Sequence, residues 1–406
     1  MDEITKAVRD MYEQYPYPAG APAQRVATDV RSLLSYVERS RGKSGRLQVL
    51  DAGCGRGVGT LGCAVLQPDV DFLGVDISRV ALKDSAEQAK ARGLNNVRFQ
   101  ECDLMTLGGL QVPPGGFDVI YSSGVLHHLS DPVAGLVKLR EILAPHGVVS
   151  LMVYARHGRA PLSRLVQGID ILVPRKKTIP DRMKAARLLA AFAKTGILGG
   201  TPWAGTPEVK DIEFVDRCLN VNETSFDIQS MWELLAKSGM GFIRWAEPAD
   251  WSVEAVFKGE LREVAAGLDE IDRYKLIEQV CWRPSLELMI ADEDNLRRKP
   301  LQQNEVDPTF FAVNPEVSFH AETRNLHGLQ RVESISYKLR LREIVQAPKG
   351  ALGTAVFILR DQNLPFTGKA FAEIMEQKGI PPDQARAVLM ELLERDVLYR
   401  PHRSEI

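Results

Sequence analysis

The stretch that most constrains this chain is Val49-Leu50-Asp51-Ala52-Gly53-Cys54-Gly55-Arg56-Gly57. An apolar run there ends in an aspartate and then in alternating glycines. A buried strand entering a tight ligand-binding turn has this form, because glycine adopts φ > 0 at no steric cost and lets the backbone approach a bound molecule. A second apolar run, Phe72-Leu73-Gly74-Val75-Asp76, also ends in an acid. At the tip of the next strand, such an acid is placed to accept both hydroxyls of a ribose.

Around this pair the pattern alternates strand and helix. Strands are expected at 47–50, 72–75, 97–100, 119–121 and 148–153, with helices at 57–66, 80–92 and 132–143. That alternation predicts an α/β fold with a parallel, doubly wound sheet and its ligand at the carboxyl ends of the strands. Ahead of it, Ile4, Val8, Met11, Tyr12 and Tyr15 lie at helical spacing. The helix they predict must stop at Tyr15-Pro16-Tyr17-Pro18, because each proline disfavours helix in the residue before it. This segment reads either as packing or as an aromatic lid. A further helix is expected at 26–37.

After the fifth strand, residues 156–205 read as helical and basic. Ten Lys/Arg between 156 and 194 face only Asp170 and Asp181, a local net charge of 10 − 2 = +8. A helix at 227–238, an apolar segment at 242–245, one helix at 260–281 and a last strand at 286–291 follow. The polar stretch 292–307 reads as a linker. Strands at 310–313 and 334–341, helices at 368–377 and 382–394 and a short strand at 397–399 then outline a winged-helix-like unit. The expected domains are therefore 1–45, a core at 46–295 with helical insertions at 156–210 and 260–282, and 303–406.

Bulk properties bound the alternatives. A chain of 406 residues exceeds a single simple core. With 45% apolar and 26% charged residues and a net charge of −2, it is neither membrane-embedded nor coated in nucleic acid. No apolar run reaches the roughly twenty residues of a membrane span. The acidic N-terminus lacks a leader's apolar segment, and the five cysteines (54, 63, 102, 218, 281) show no CxxC. Reduced thiols and a cytoplasmic location are expected. The seven histidines are scattered, so no metal is expected.

Gly57-Val58-Gly59-Thr60-Leu61-Gly62 satisfies the bare GxGxxG pattern of dinucleotide enzymes. Its register is wrong, since the strand ends at Asp51 and those glycines fall into the helix. An acid at Asp51 would also repel a pyrophosphate, whereas it suits a ligand with a cationic amine.

On these residues the chain resembles the class I S-adenosylmethionine-dependent methyltransferases. Val49–Gly57 resembles their D-x-G-x-G-x-G motif, and Val75-Asp76 their ribose acid. Glu101-Cys102-Asp103-Leu104 is similar to the adenine-bracketing segment, Phe117–Leu129 to motif IV, and Leu143-Ala144-Pro145-His146-Gly147-Val148 to the turn before strand five. The resemblance implies a Rossmann-like seven-stranded sheet. It also implies S-adenosylmethionine as co-substrate, with Asp51, Gly53 and Gly55 at the methionine portion, Asp76 and Ile77 at ribose, Asp103 and Leu104 at adenine, and Ser123 in motif IV. The Tyr12-x-x-Tyr15-Pro16-Tyr17-Pro18 segment, with Asp216-Arg217-Cys218-Leu219-Asn220, is similar to one bacterial subgroup.

The methyl acceptor is less determined. The motif IV tip carries His127-His128, which is neither an Asn-Pro-Pro-Tyr nor a cysteine-based arrangement. Two readings stand: both histidines bond backbone carbonyls, or His128 is a catalytic base facing Tyr17 or Tyr12. The basic insertion reads as a solvated face, as a cover attracting an anionic substrate, or as a nucleic-acid or membrane contact. The terminal helix 382–394 is too acidic for phosphate, so nucleic acid is disfavoured and a dimerisation or substrate-presenting module is the preferred reading of this domain. The expected function is methyl transfer without metal to an O or N nucleophile of a small molecule. The alternatives are a protein or peptide methyltransferase and a non-catalytic sensor or scaffold.

Overall fold

The computed structural model describes residues 1–19, 30–34, 46–295, 301–315, 317–326, 329–339, 342–346 and 350–401. Most of the helix expected at 26–37 lies outside them. The chain divides into two compact units, one of residues 1–25 and 45–296, the other of 26–44 and 297–406.

The first unit begins with α1 (Glu3–Gln14), whose N-cap Asp2 accepts from the backbone N–H of Thr5. Residues Val30–Leu34 (α2) belong to the second unit. The repeating part then runs β1 (Gln48–Ala52), α3 (Val58–Leu66), β2 (Asp71–Asp76), α4 (Arg79–Ala91), β3 (Val97–Glu101), β4 (Phe117–Ser123), α5 (Pro132–Ile142) and β5 (Leu143–Tyr154). Val49, Leu50, Val119, Ile120, Val148 and Val149 are all fully buried, which is why these strands read as continuous apolar runs rather than as alternation. Ser78 caps α4, and Asp131, followed by Pro132, caps α5.

The sheet has seven strands in the order β3-β2-β1-β4-β5-β7-β6, completed by β6 (Met240–Trp245) and β7 (Ser285–Asp292). It is mixed rather than wholly parallel, since β7 runs antiparallel to both β5 and β6. The run Leu286–Ala291 is apolar and buried except at Glu287, and such a run carries no information about direction. Fifth-strand pairing also starts earlier than expected, at Leu143.

Between β5 and β6 lie α6 (Ala160–Leu172), α7 (Ile179–Ala193), α8 (Asp211–Cys218) and α9 (Ile228–Ser238). Leu162, Leu165, Ile169, Ala186, Ala190, Phe214 and Val215 pack together with Met11 of α1. Six of the ten basic residues of this insertion find acids: Arg156–Asp227, Arg159–Glu223, Arg175–Asp170, Arg182–Asp170, Arg187–Asp211 and Lys194–Glu208. Four of those acids lie beyond the basic stretch, so the local charge is smaller than the sequence suggests. Helix α9 has a capping box, Asp227 with Ser230, and stops at Gly239 in the left-handed region.

Between β6 and β7 come α10 (Val253–Val256), α11 (Gly259–Ala266) and α12 (Glu270–Val280). The single helix expected at 260–281 is thus two. Asp269 accepts from the N–H of Asp272 and starts the second, after Gly267 ends the first. Trp245 and Trp251 stack at 4.0 Å in the core.

The second unit contains β8 (Phe310–Val313), β9 (Val317–Leu326), β10 (Leu329–Leu339), β11 (Arg342–Gln346), α13 (Ala351–Leu359), β12 (Phe366–Thr367), α14 (Gly368–Gln377), α15 (Pro382–Glu394) and β13 (Leu398–Tyr399). One three-stranded antiparallel sheet is β11-β10-β9, and the other is β12-β8-β13. The sequence reading finds β8, part of β10, α14, α15 and β13 but not β9, β11, α13 or the two-residue β12. The strand β9 carries too many polar residues to stand out, and α13 is apolar without a clear stripe. The unit has its own core, with Phe311, Tyr337, Val356, Met375 and Leu389 fully buried.

Candidate functional site

After β1 the chain turns toward β2 and β3, then crosses back to β4 on the other side of β1. The crevice left at the carboxyl ends of strands at such a reversal is where ligands bind in open α/β sheets. A cavity of about 230 Å³ lies there. Every residue singled out in the sequence for cofactor or catalysis lines it: Asp51, Gly53, Gly55, Asp76, Ile77, Asp103, Leu104, Ser123, Tyr12, Tyr17 and His128.

The glycine turn forms one wall. Gly53 sits at φ +89°, and a Cβ there would stand 2.2 Å from Cγ2 of Val125; one on Gly55, at φ +52°, would stand 2.5 Å from the Tyr17 carbonyl oxygen. Side chains at either place would fill the turn. The N–H of Gly55 donates to Oδ2 of Asp76 at 2.8 Å, and that of Ser78 to Oδ1 at 2.9 Å. Thr60 Oγ1 donates to Oδ2 of Asp51. Burial pushes the Asp51 carboxyl up to about 6, with the Asp76 charge adding to the rise, and burial raises Asp76 as well. The N–H of Met105 donates to Asp103 Oδ1 at 2.9 Å.

The N-terminal segment closes the cavity over this turn. The N–H of Arg56 donates to the Tyr17 carbonyl at 3.0 Å, Ser78 Oγ donates to the Tyr12 carbonyl at 3.2 Å, and the N–H of Arg79 donates to Glu13 Oε1 at 2.6 Å. Thr5 and Val8 of α1 also line the space.

The opposite wall is built from segments far apart in sequence. The Tyr12 hydroxyl donates to Asp216 Oδ1 at 2.8 Å, and Asn220 Nδ2 donates to the Tyr12 oxygen at 3.1 Å. Tyr154, the last residue of β5, donates to the other Asp216 oxygen at 3.4 Å. Its ring lies between that of His127, at 3.8 Å, and the Arg159 guanidinium, at 3.5 Å. Burial, reinforced by the Asp216 charge, holds both phenols well above their ordinary range, so they stay protonated. Burial holds His127 well below its ordinary value, and it is neutral.

His128 Nδ1 lies 2.7 Å from the Asn222 carbonyl oxygen. A carbonyl can only accept, so Nδ1 carries a proton, and in the neutral form of the ring Nε2 is the acceptor. That Nε2 is buried without a hydrogen-bond partner. Asn222 Nδ2 donates in turn to the carbonyls of His128 and Leu129, which fixes the loop that carries the ring. Sequence reasoning missed Tyr154, Asn222 and Val125 and gave Asp216 no role. The position of Tyr154 at a strand's carboxyl end was the available signal.

None of the described lining residues is Lys or Arg, whereas four are Asp: 51, 76, 103 and 216. Among the described residues no cluster of His, Cys, Asp or Glu is placed to hold a metal ion, and no helix is long and apolar enough to cross a membrane. S-adenosylmethionine carries an ammonium, a sulfonium, a ribose diol and an adenine amine. Carboxylates at 51 and 76 raised by burial, beside a turn that a Cβ would block, fit that set of groups.

Comparison with known proteins agrees. Residues 43–170 match the family described as "Methyltransferase domain". The uncharacterized protein syc1184_c of Synechococcus sp. is 30% identical over 291 residues, 68% of this chain and 69% of that one. The trans-aconitate 2-methyltransferase of Deinococcus radiodurans is 34% identical over 151 residues, 37% of this chain and half of that protein. The solved structure of PKMT2 from Rickettsia typhi superposes with a TM-score of 0.64 at 17% identity, covering 96% of this chain and 76% of that one, and it is also known in complex with AdoHcy. The chain belongs to the class I S-adenosylmethionine-dependent methyltransferases, an enzyme family with S-adenosylmethionine as its co-substrate.

Proposed function

We propose that this enzyme methylates an amine nitrogen of a small molecule. The observation that carries this is Asp216, a buried carboxylate in the cavity wall that accepts from Tyr12 and Tyr154. Three of the four lining aspartates match the co-substrate's own groups, so Asp216 is left for the acceptor. A carboxylate framed by two tyrosine rings attracts an ammonium and repels an anionic substrate.

In this reading Asp51 holds the amine of S-adenosylmethionine and the Gly53 and Gly55 backbone lets its methionine portion approach. Asp76 and Ile77 hold the ribose, Asp103 and Leu104 bracket the adenine, and Ser123 lies beside the reacting centre. When bound, the co-substrate supplies an electrophilic methyl group on a sulfonium. Asp216 orients the acceptor ammonium, and His128 Nε2 takes its proton to free the nitrogen lone pair. Tyr12 and Tyr17, held over the turn, exclude water and fix the approach. The domain reading completes the proposal: an N-terminal lid of the Tyr-x-x-Tyr-Pro-Tyr-Pro subgroup, placed by the sequence at 1–45 and carried in the first unit by residues 1–19, a methyltransferase core at 46–295, and a winged-helix-like accessory unit at 303–406 that dimerises or presents substrate, all in the cytoplasm.

A second reading, transfer to a peptide or protein side-chain amine, is favoured by the second compact unit, which a metabolite enzyme does not require. Release of S-adenosylhomocysteine from a panel of small amines, amine-bearing peptides and the matched alcohols and carboxylates tests both. Amines should turn over and Asp216→Asn should raise their KM. Turnover of alcohols or carboxylates alone would overturn the amine assignment.

A further inference from the structure

The hairpin of α6 and α7 has an outer face that nothing in the cavity uses. Gly168 of α6 lies against Leu189 of α7, and the inner positions Leu162, Leu165, Ile169, Ala186 and Ala190 pack into the core beneath. The outward positions are Arg164, Gln167 and Ile171 on α6, and Asp181, Lys184, Leu188 and Phe192 on α7, at the three- and four-residue spacing of one helix face. Four of the molecule's large apolar side chains protrude here: Ile171 is 85% exposed, Phe192 79%, Leu188 65% and Leu172 56%. Lys176 and Lys177 at the hairpin tip, with Arg164 and Lys184, are the four of the ten basic residues at 156–194 that make no ion pair with a described acid. The nearby Asp170 is paired with Arg175 and Arg182, and Asp181 accepts from the Thr178 hydroxyl.

We propose that this face is a docking surface for an anionic lipid bilayer. Side chains this far exposed stand out from the surface rather than lining a groove. Protruding Phe, Ile and Leu ringed by unpaired cations match an interface whose headgroups are negative and whose acyl boundary lies just below. The attachment is peripheral, with the hairpin lying on the membrane and not spanning it. The proposal does not depend on which acceptor is methylated.

Cosedimentation of the full-length protein with vesicles tests it. The protein binds vesicles of phosphatidylcholine mixed with phosphatidylglycerol, does not bind phosphatidylcholine alone, and is released by high salt. The triple variant Lys176→Glu, Lys177→Glu, Lys184→Glu lowers partitioning by about a hundredfold or more. Ile171→Ser with Phe192→Ser lowers it by about tenfold or more. All five residues are on the surface, so S-adenosylhomocysteine affinity and the melting temperature stay at wild-type values and separate lost docking from misfolding. Equal binding to neutral vesicles, no binding to either, or unchanged binding by both variants overturns the proposal. So does dimerisation abolished by Phe192→Ser without vesicle binding, which would assign the face to a second copy of the chain.

Discussion

At the scale of single residues, the site runs on carboxylates kept out of water. Asp51 titrates at about 6 in the free protein against an ordinary 3.8. The folded state then holds its proton more tightly than the unfolded chain. Asp51 therefore favours the free fold fully below about pH 4 and loses that contribution as pH rises to about 6. A cationic ligand reverses the dependence, because it requires the carboxylate. Affinity for S-adenosylhomocysteine should weaken roughly tenfold per unit below pH 6, and Asp51→Asn should flatten that profile, as calorimetric titration across pH can measure. His128 offers a contrast. The carbonyl partner expected by one sequence reading is present at Nδ1, while the proposed role as base falls to Nε2, which has no hydrogen-bond partner. His128→Ala should cut kcat by about a hundredfold to ten-thousandfold with ligand affinity unchanged, which steady-state kinetics beside calorimetry would test.

At the scale of elements, the turn between β1 and α3 works because two glycines take conformations that side chains resist. Gly53→Ala meets both φ +89° and Val125 at 2.2 Å. It should cost about 2 kcal/mol or more in stability and lower ligand affinity. Adding Val125→Ala should recover the part due to the clash and leave the part due to φ, a difference that a double-mutant cycle on chemical denaturation resolves. The helix α1 is the other element the site depends on. It supplies Thr5, Val8 and Tyr12 to the cavity and is tied at Glu13 to the start of α4, next to the acid at the end of β2. The N-terminal helix and the turn after Asp76 are therefore held in one arrangement.

At the scale of the whole molecule, two units with separate cores should melt as two transitions. At a hundredfold excess over Kd, S-adenosylhomocysteine stabilises the unit that binds it by about 2.7 kcal/mol. That should raise one midpoint by roughly 5 °C and leave the other in place, as differential scanning calorimetry would record. A single shifted transition would show the units to unfold together.

How much of this was legible in the chain follows from the range of the forces involved. Asp51, the glycines beside it, Asp76 and Asp103 are local features: a strand, the turn that ends it and the acid at its tip lie within a few residues of each other. The repeated strand-helix alternation is likewise short-range, so the order of elements up to residue 154 could be read without coordinates. The direction of β7 could not, because a mostly buried apolar run looks the same either way. Nor could the break at Gly267, where a cap outweighs helical periodicity, or the true charge of the basic insertion, whose partners lie up to about seventy residues away. The wall opposite the glycine turn is the extreme case. Tyr12, His128, Tyr154 and Asp216 come from four separate segments and meet only when α1 and α8 pack on the carboxyl end of the sheet. The sequence by itself determined which co-substrate the chain holds, since that depends on one local turn. Only the tertiary structure decided what faces it, since long-range packing brings Asp216 against two phenols and leaves His128 Nε2 buried without a hydrogen-bond partner.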